Sequence, residues 1–455
     1  MRILPDATVT RLLGSMDANH LVALCGAGLS VPQPSGLMSA VHVAEACYDK
    51  WSAIGDLQPE IRQNIGKIAD HFYRLSPQEF ESVFLSLVPW NELVGQHNAG
   101  HAALGDFLVS RAMCGVLSTN FDGLIEQWGE FNKVDLRGAL TGQEASDWAF
   151  CANQSPLVKF HGCMTRDRKK TLWTDGQLAD GTIKARVTSC SQWMQLNLPG
   201  KDLVVIGFWS DWAYLNQVLA KAMDIQGFDS VTVIDPLETA KLEQKAPQLW
   251  ATLLRGSDRF EHIPGSGADA LDELRTAFSR VWIERFYALA KEPLKAAGRN
   301  YTPLDLALDG ENLYRCRQDA EGLPYNRAAR NKTPSAHSSQ AAYMHHIMTP
   351  AASAREGSWY VVADQRVRIV QGAGKDINSV RQQFNEPPAI KQPDVVVCAG
   401  AEDYGVPGRI VPSGQGENIV RAVRGGSADW ITSVEAIQRF GLGAPVIVQE
   451  GGGSG

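Results

Sequence analysis

Five short, almost continuous apolar runs set the terms for this chain: LVALCGAG (21–28), CGVLSTN (114–120), PLVKFHG (156–162), DLVVIGF (202–208) and SVTVIDP (230–236). None alternates apolar with polar residues, so each reads as a strand buried on both faces. Amphipathic helical patterns lie between several of them: VHVAEACYDKW, EFESVFLSLV, HAALGDFLVSRA and LNQVLAKAM. That alternation predicts an α/β fold, a doubly wound parallel sheet of the Rossmann-like kind with helices on both faces. Such sheets take their ligands beyond the C-terminal strand ends. Here those ends read Gly-Ala-Gly, Thr-Asn-Phe-Asp, His-Gly, Gly-Phe-Trp-Ser-Asp and Asp-Pro, a polar and glycine-rich crevice along one edge.

A helix is predicted over 268–297, with Leu271, Leu274, Phe278, Val281, Trp282, Phe286 and Leu289 recurring as a packing face. Composition shifts after residue 298. The stretch 310–356 is poor in large aliphatic residues, which predicts a long loop or a segment ordered by a partner. Strand-like runs resume in SWYVVADQRVRIV (358–370) and PDVVVCAGAEDYGV (393–406). The expected organisation is a large α/β domain over 1–297 and a smaller β-containing C-terminal domain over 298–450. The final GGGSG (451–455) reads as an appended linker outside the fold.

Composition removes several classes of function. A net charge of −7 gives no reason to expect direct nucleic-acid binding, and RDRKK (166–170) reads as a solvated loop. Nucleic acid would enter only through a partner. No apolar run is long enough to cross a bilayer, so no membrane association is expected. Eight scattered cysteines without a CxxC argue against a disulfide scaffold or a cysteine zinc site, and suit a cytoplasmic location with no metal.

The strand ends carry the chemistry. Gly26, Ala27, Gly28 and Ser30 form a turn that lets backbone approach a phosphate, although Val31 stands where a full dinucleotide fingerprint has its third glycine. The Asn120 amide can position a water or a ribose hydroxyl, and the His161 imidazole can accept a proton. Asp122 reads equally as a site residue or as the cap of the helix beginning GLIEQW, and Ser210 with Asp211 as a cap for AYLNQVLAKAM. His101 reads as structural, and the adjacent His345 and His346 lack the spaced partners of a metal site. QGAGKD (371–376) lacks the P-loop spacing and is expected to be a hairpin turn, and CAGAEDYG (398–405) a structural turn. An amide, a carboxylate and an imidazole around a phosphate turn suit cleavage at a ribosyl carbon whose leaving group is already good, such as the nicotinamide of NAD+.

Taken in order, GAGLS (26–30), NAGHAALGDFL (98–108), TNFD (119–122), FHG (160–162), GFWSD (207–211) and VID (233–235) resemble the motifs of the sirtuin family. The resemblance implies that Gly26, Ala27, Gly28 and Ser30 contact the pyrophosphate and nearby ribose of NAD+. Asn120 and Asp122 would border the nicotinamide pocket, and His161 would be the general base at the nicotinamide ribose. Gly207 and Ser210 would hold the second ribose region, and Asp235 would face the adenosine. Three departures separate the chain from the family's protein deacylases, one being the absence of a clear equivalent of the strand that clamps an acyl-lysine peptide. The stretch 163–201 holds only Cys163 and Cys190 in place of paired CxxC motifs, and VPQPSG follows the glycine loop where deacylases have a Phe-Arg turn. Absent zinc and a fused C-terminal module make it similar instead to bacterial sirtuin-like effectors of antiphage defence, which hydrolyse NAD+. The expectation is an NAD+ hydrolase with NAD as substrate, gated by a homo-oligomer, a protein partner or a ligand. A deacylase without the zinc module, and a non-catalytic NAD- or ADP-ribose-binding module, stay open beside it.

Overall fold

The structure, a computed structural model, describes residues 2–305, 307–322, 332–384, 392–401 and 428–443. Most of the turn expected at 398–405 and the linker at 451–455 lie outside the described residues. The chain divides into two compact units, Met1–Phe131 with Asp135–Arg275, and Asn132–Val134 with Thr276–Gly455. The division falls within the helix Gly267–Ala288, ahead of the expected change at 297. The single helix expected over 268–297 is two, Gly267–Ala288 and Lys291–Ala296. Pro293 accounts for the break: its ring excludes the carbonyl four residues back, but it is tolerated in the first turn of the second helix.

In the first unit, seven strands form one parallel sheet. They are β1 Leu21–Cys25, β2 Gly115–Ser118, β3 Gly138–Ala139, β4 Leu157–Val158, β5 Asp202–Ile206, β6 Ser230–Asp235 and β7 Phe260–Pro264, in the order β3-β4-β2-β1-β5-β6-β7. The five apolar runs are β1, β2, β4, β5 and β6. From β1 the chain steps outward to β2, reaches β3 and β4, and then returns past β1 to lay down β5. The sheet therefore reverses direction between β1 and β5, the place where such folds open a ligand crevice. Val22, Leu24, Leu117, Val158, Leu203, Val205 and Val231 are buried in a core closed by the helices Gly181–Asn197, Ala213–Ile225 and Pro247–Arg255. A second core, built by Val43, Ile68, Phe72, Phe80, Phe84 and Trp90 from the helical region 40–93, packs with Met164 and Trp173.

The second unit holds a five-stranded sheet. Its strands are β8 Ala354–Glu356, β9 Trp359–Val362, β10 Gln365–Gln371, β11 Val395–Ala399 and β12 Asp429–Thr432. β8, β9 and β10 form an antiparallel meander, whereas β10, β11 and β12 run parallel. Two expectations are corrected here. The stretch 310–356 is not a long loop: it carries the helices Gly310–Glu321 and Ser339–Met348. Their buried faces include charged and small residues, among them Asp319, which takes both ends of the Arg368 guanidinium at 2.9 and 2.7 Å. A composition poor in aliphatics can thus still be interior. Nor is 371–376 a hairpin, because β10 and β11 are parallel and need a crossover. Ala373 and Gly374 take positive φ, and Asp376 accepts the Asn378 and Ser379 amides to start the helix Ile377–Gln383.

Candidate active site

The glycines of GAGLS are explained first by the chain's own packing. The Gly26 amide donates to the Ile206 carbonyl at 3.0 Å and that of Gly28 to the Gly207 carbonyl at 2.9 Å. A Cβ on Gly28 would lie 2.8 Å from Gly207 Cα, and one on Gly26 would lie 2.7 Å from Phe208 Cβ. Gly207 itself sits at φ +60°, and its Cβ would lie 2.4 Å from the Leu29 nitrogen. Three glycines are therefore needed where the turn after β1 crosses the end of β5. Leu29 and Ser30 also spend their amides within the turn, on the Gly26 and Ala27 carbonyls. Ala27 and Gly28 remain exposed at the crevice.

Ser30 is the hub of a buried network. His101 Nδ1 accepts the Asn98 amide at 3.2 Å, which leaves Nε2 protonated to donate to Ser30 Oγ at 3.1 Å. Asn120 Nδ2 donates to the same oxygen at 3.2 Å. With both lone pairs filled, the Ser30 hydroxyl gives its one proton to Asp122 Oδ2 at 2.9 Å. Burial keeps His101 neutral, its pKa down at about 4, as this tautomer requires. The other Asp122 oxygen accepts the Leu124 amide at 3.2 Å at the start of the helix Leu124–Phe131, so the residue caps that helix and belongs to the network at once. Asn98 completes the assembly. It caps the helix Ala99–Val109 in a capping box with His101, and its Nδ2 holds the Leu29 carbonyl at 2.8 Å. Gly100 is small because a Cβ there would meet Leu29 Cδ1 at 2.7 Å and Ala268 Cα at 2.8 Å.

One atom of this network has no partner among the described residues. Asn120 Oδ1 is buried and accepts no hydrogen bond, while Nδ2 of the same amide is pinned to Ser30. Leu117 of β2 pairs with Val158 of β4, and three residues beyond each stand Asn120 and His161. Both residues thus leave the same edge of adjacent strands. His161 is buried among Phe160, Trp212 and Tyr214, and its Nε2 meets the Tyr214 hydroxyl at 2.6 Å. Burial, with the positive field of Arg186 behind it, pushes its pKa down to about 3. The imidazole is neutral and already occupied.

Other expected site residues are distributed along the same edge. Asp235 ends β6; its carboxylate turns back to the Leu237 amide at 2.9 Å and its carbonyl takes the Gly265 amide. Ser210 is exposed after β5. The Ser210–Asp211 pair does not cap the helix Ala213–Ile225, which begins after Trp212 without a side-chain cap. Asp211 instead accepts the Leu249 amide at 2.8 Å and that of Gln248 at 3.3 Å, capping the helix Pro247–Arg255.

Two residues escaped the sequence reading. Lys159 is buried, reaching Glu126 Oε1 at 3.0 Å, Cys163 Sγ at 3.4 Å and the Asp122 carbonyl. Burial alone would discharge it, but Glu126, Cys163 and Asp122 hold its pKa at about 12. It clamps the loop bearing Asn120 and Asp122 from beneath. The signal was a lysine inside an otherwise apolar strand, PLVKFHG. Tyr214 carried no signal, since an aromatic early in an amphipathic helix reads as core.

No family model and no curated protein matches the chain. Among solved structures it is similar to one from a study of the mechanism and regulation of Sir2 enzymes, at 11% identity over 60% of this chain and 98% of that one, with a TM-score of 0.34. It is also similar to a Sir2 homologue solved with NAD, at 15% identity over 58% and 91% with a TM-score of 0.36. A third neighbour is a Sir2–p53 peptide–NAD+ complex, at 13% identity over 60% and 99% with a TM-score of 0.34.

Proposed function

We propose that the chain hydrolyses NAD+ to nicotinamide and ADP-ribose. The observation that carries this reading is the Asn120 amide, fixed through Nδ2 and left with a buried, unpartnered Oδ1 at the ligand edge of the sheet. A buried acceptor without a donor is costly, and a water or ribose hydroxyl supplies one. As the C1′–N bond of the nicotinamide ribose lengthens, its electron pair passes to the pyridinium nitrogen, and positive charge develops on the ribose. A water held on Asn120 Oδ1 adds at C1′ as nicotinamide leaves with the bonding electron pair, and the proton that water loses passes to solvent. Asp122 lies one hydrogen bond away through Ser30, and its charge favours the oxocarbenium-like state. His161, neutral and paired with Tyr214, serves as a hydrogen-bond acceptor once a ribose hydroxyl replaces the phenol.

The resemblance to sirtuin-like defence effectors supports a cytoplasmic antiphage role, in which depletion of NAD+ halts an infected cell. An enzyme of that kind must be restrained, so we assign gating to a homo-oligomer, a protein partner or a ligand. The test is nicotinamide release from NAD+ by the full chain, without peptide, beside Asn120→Ala and beside an acyl-lysine peptide. Peptide-independent release lost in the variant is the expected result. Release only with peptide would make the chain a deacylase, and NAD+ or ADP-ribose binding without turnover would make it a binding module.

A further inference from the structure

The second unit contains a cavity of about 280 Å³ whose walls include Leu304, Asp305, Thr349, Arg355 and Tyr360. Its volume suits a small metabolite and not a dinucleotide. Arg355 projects from β8 across the Tyr360 ring, with its guanidinium carbon 5.1 Å from the ring centroid, and Nη2 reaches the Tyr287 hydroxyl at 3.5 Å. Its Nε is buried and, among the described residues, donates to nothing. Among the described residues no carboxylate lies within ion-pair distance of it. Elsewhere in this unit Arg366, Arg368 and Arg439 each meet an aspartate. A half-buried guanidinium without a counter-charge is unfavourable unless a bound anion supplies one. Tyr360 forms a firm floor, since its hydroxyl meets His345 Nδ1 at 2.9 Å.

Asp305 narrows the choice of anion. Its Oδ1 takes the Ala307 amide at 3.1 Å, and Oδ2 has no partner among the described residues. A dicarboxylate would set a negative group against it, whereas a hydroxyl would donate to it. We infer that this cavity binds a small phosphorylated sugar, the phosphate on Arg355 and a hydroxyl on Asp305. The bidentate fit of guanidinium to phosphate supplies the affinity, and the aliphatic wall of Leu304 and Leu308 accommodates the carbon chain.

Isothermal titration of the full chain with ribose 5-phosphate, inorganic phosphate, malonate and ribose tests this. Ribose 5-phosphate is expected to bind at least tenfold more tightly than phosphate, with malonate weaker still and ribose silent. Arg355→Gln should abolish binding of both phosphates, Asp305→Asn should reduce ribose 5-phosphate to the level of phosphate, and Asn120→Ala should change neither. Arg355→Lys, which keeps the charge but loses the fork, should weaken binding about tenfold and serves if the glutamine variant does not fold. No heat with any anion, or binding unchanged in both arginine variants, would overturn the site. Equal affinity for phosphate and ribose 5-phosphate would overturn the sugar assignment.

Discussion

Removing the Ser30 hydroxyl is the sharpest probe of the candidate active-site network. Ser30→Ala deletes one oxygen that satisfies three groups, at 3.1 Å from His101, 3.2 Å from Asn120 and 2.9 Å from Asp122. Asp122 is only partly buried and can turn to water. The His101 and Asn120 donors cannot, and the gap left by one oxygen is too small to admit a water. Each orphaned buried donor costs roughly 1–3 kcal/mol, so with partial relaxation the loss is about 2–5 kcal/mol. For a unit of this size that lowers the melting temperature by roughly 4–20 °C. The Asn120 amide also loses its anchor, and a reacting group misplaced by even an ångström loses about a hundredfold in rate. Differential scanning fluorimetry and nicotinamide release on the same preparation read both effects. If Ser30 instead serves the ligand directly, the melt stays put and only KM rises. An unchanged melt with full turnover would refute the network argument altogether.

Three further perturbations test the same frame. Gly207→Ala puts a Cβ 2.4 Å from the Leu29 nitrogen at a backbone φ of +60°, and should cost at least about 2 kcal/mol and displace the glycine turn; an unaltered urea midpoint would show that the crossing is loose. Lys159→Met strands Glu126 and should destabilise by about 3–5 kcal/mol, while pairing it with Glu126→Leu should recover much of the loss in a double-mutant cycle. His161 and His101 titrate in the folded chain at about 3 and about 4, so the unfolded chain binds more protons at acid pH. Their contribution to stability is therefore complete above about pH 6.5 and falls as pH drops towards 4, by about 2 kcal/mol for each histidine at pH 5. Urea midpoints at pH 7.5 and 5 should show the slope, reduced by about half in His161→Gln.

The parallel sheet was legible because strands buried on both faces leave continuous apolar runs. β3 and β7 were not, since Gly138–Ala139 is too short to show a pattern and FEHIP is only partly buried. In the second unit, helices whose buried faces carry Arg317, Asp319, His345 and His346 imitate loop composition. Sequence cannot show that Asp319 and Arg368, far apart in the chain, satisfy each other. At the site, Asn120 and His161 could be placed on one edge from strand order alone. The hub could not, because it depends on which way four side chains turn. His101 reads as structural in sequence and is so, yet the proton it presents to Ser30 determines where the Ser30 proton goes.

The glycine turn shows how one motif answers two demands. Read as sequence, Gly26 and Gly28 make room for a phosphate; in the fold they make room for Gly207, and their amides are spent on β5. The turn's contribution to a ligand is then positional: it delivers Ser30 inward to the network and leaves Ala27 and Gly28 facing the crevice. The same economy applies to His161. An imidazole held neutral by burial and closed by Tyr214 is a weak base at rest, so the proposed hydrolysis does not rest on proton removal alone. NAD+ carries its leaving group already activated as a cation and asks for little base strength. The proposed reaction would ask for a fixed acceptor to place the water and nearby negative charge to favour the ribosyl cation, and on that reading Asn120 and Asp122, joined through one serine, would supply both.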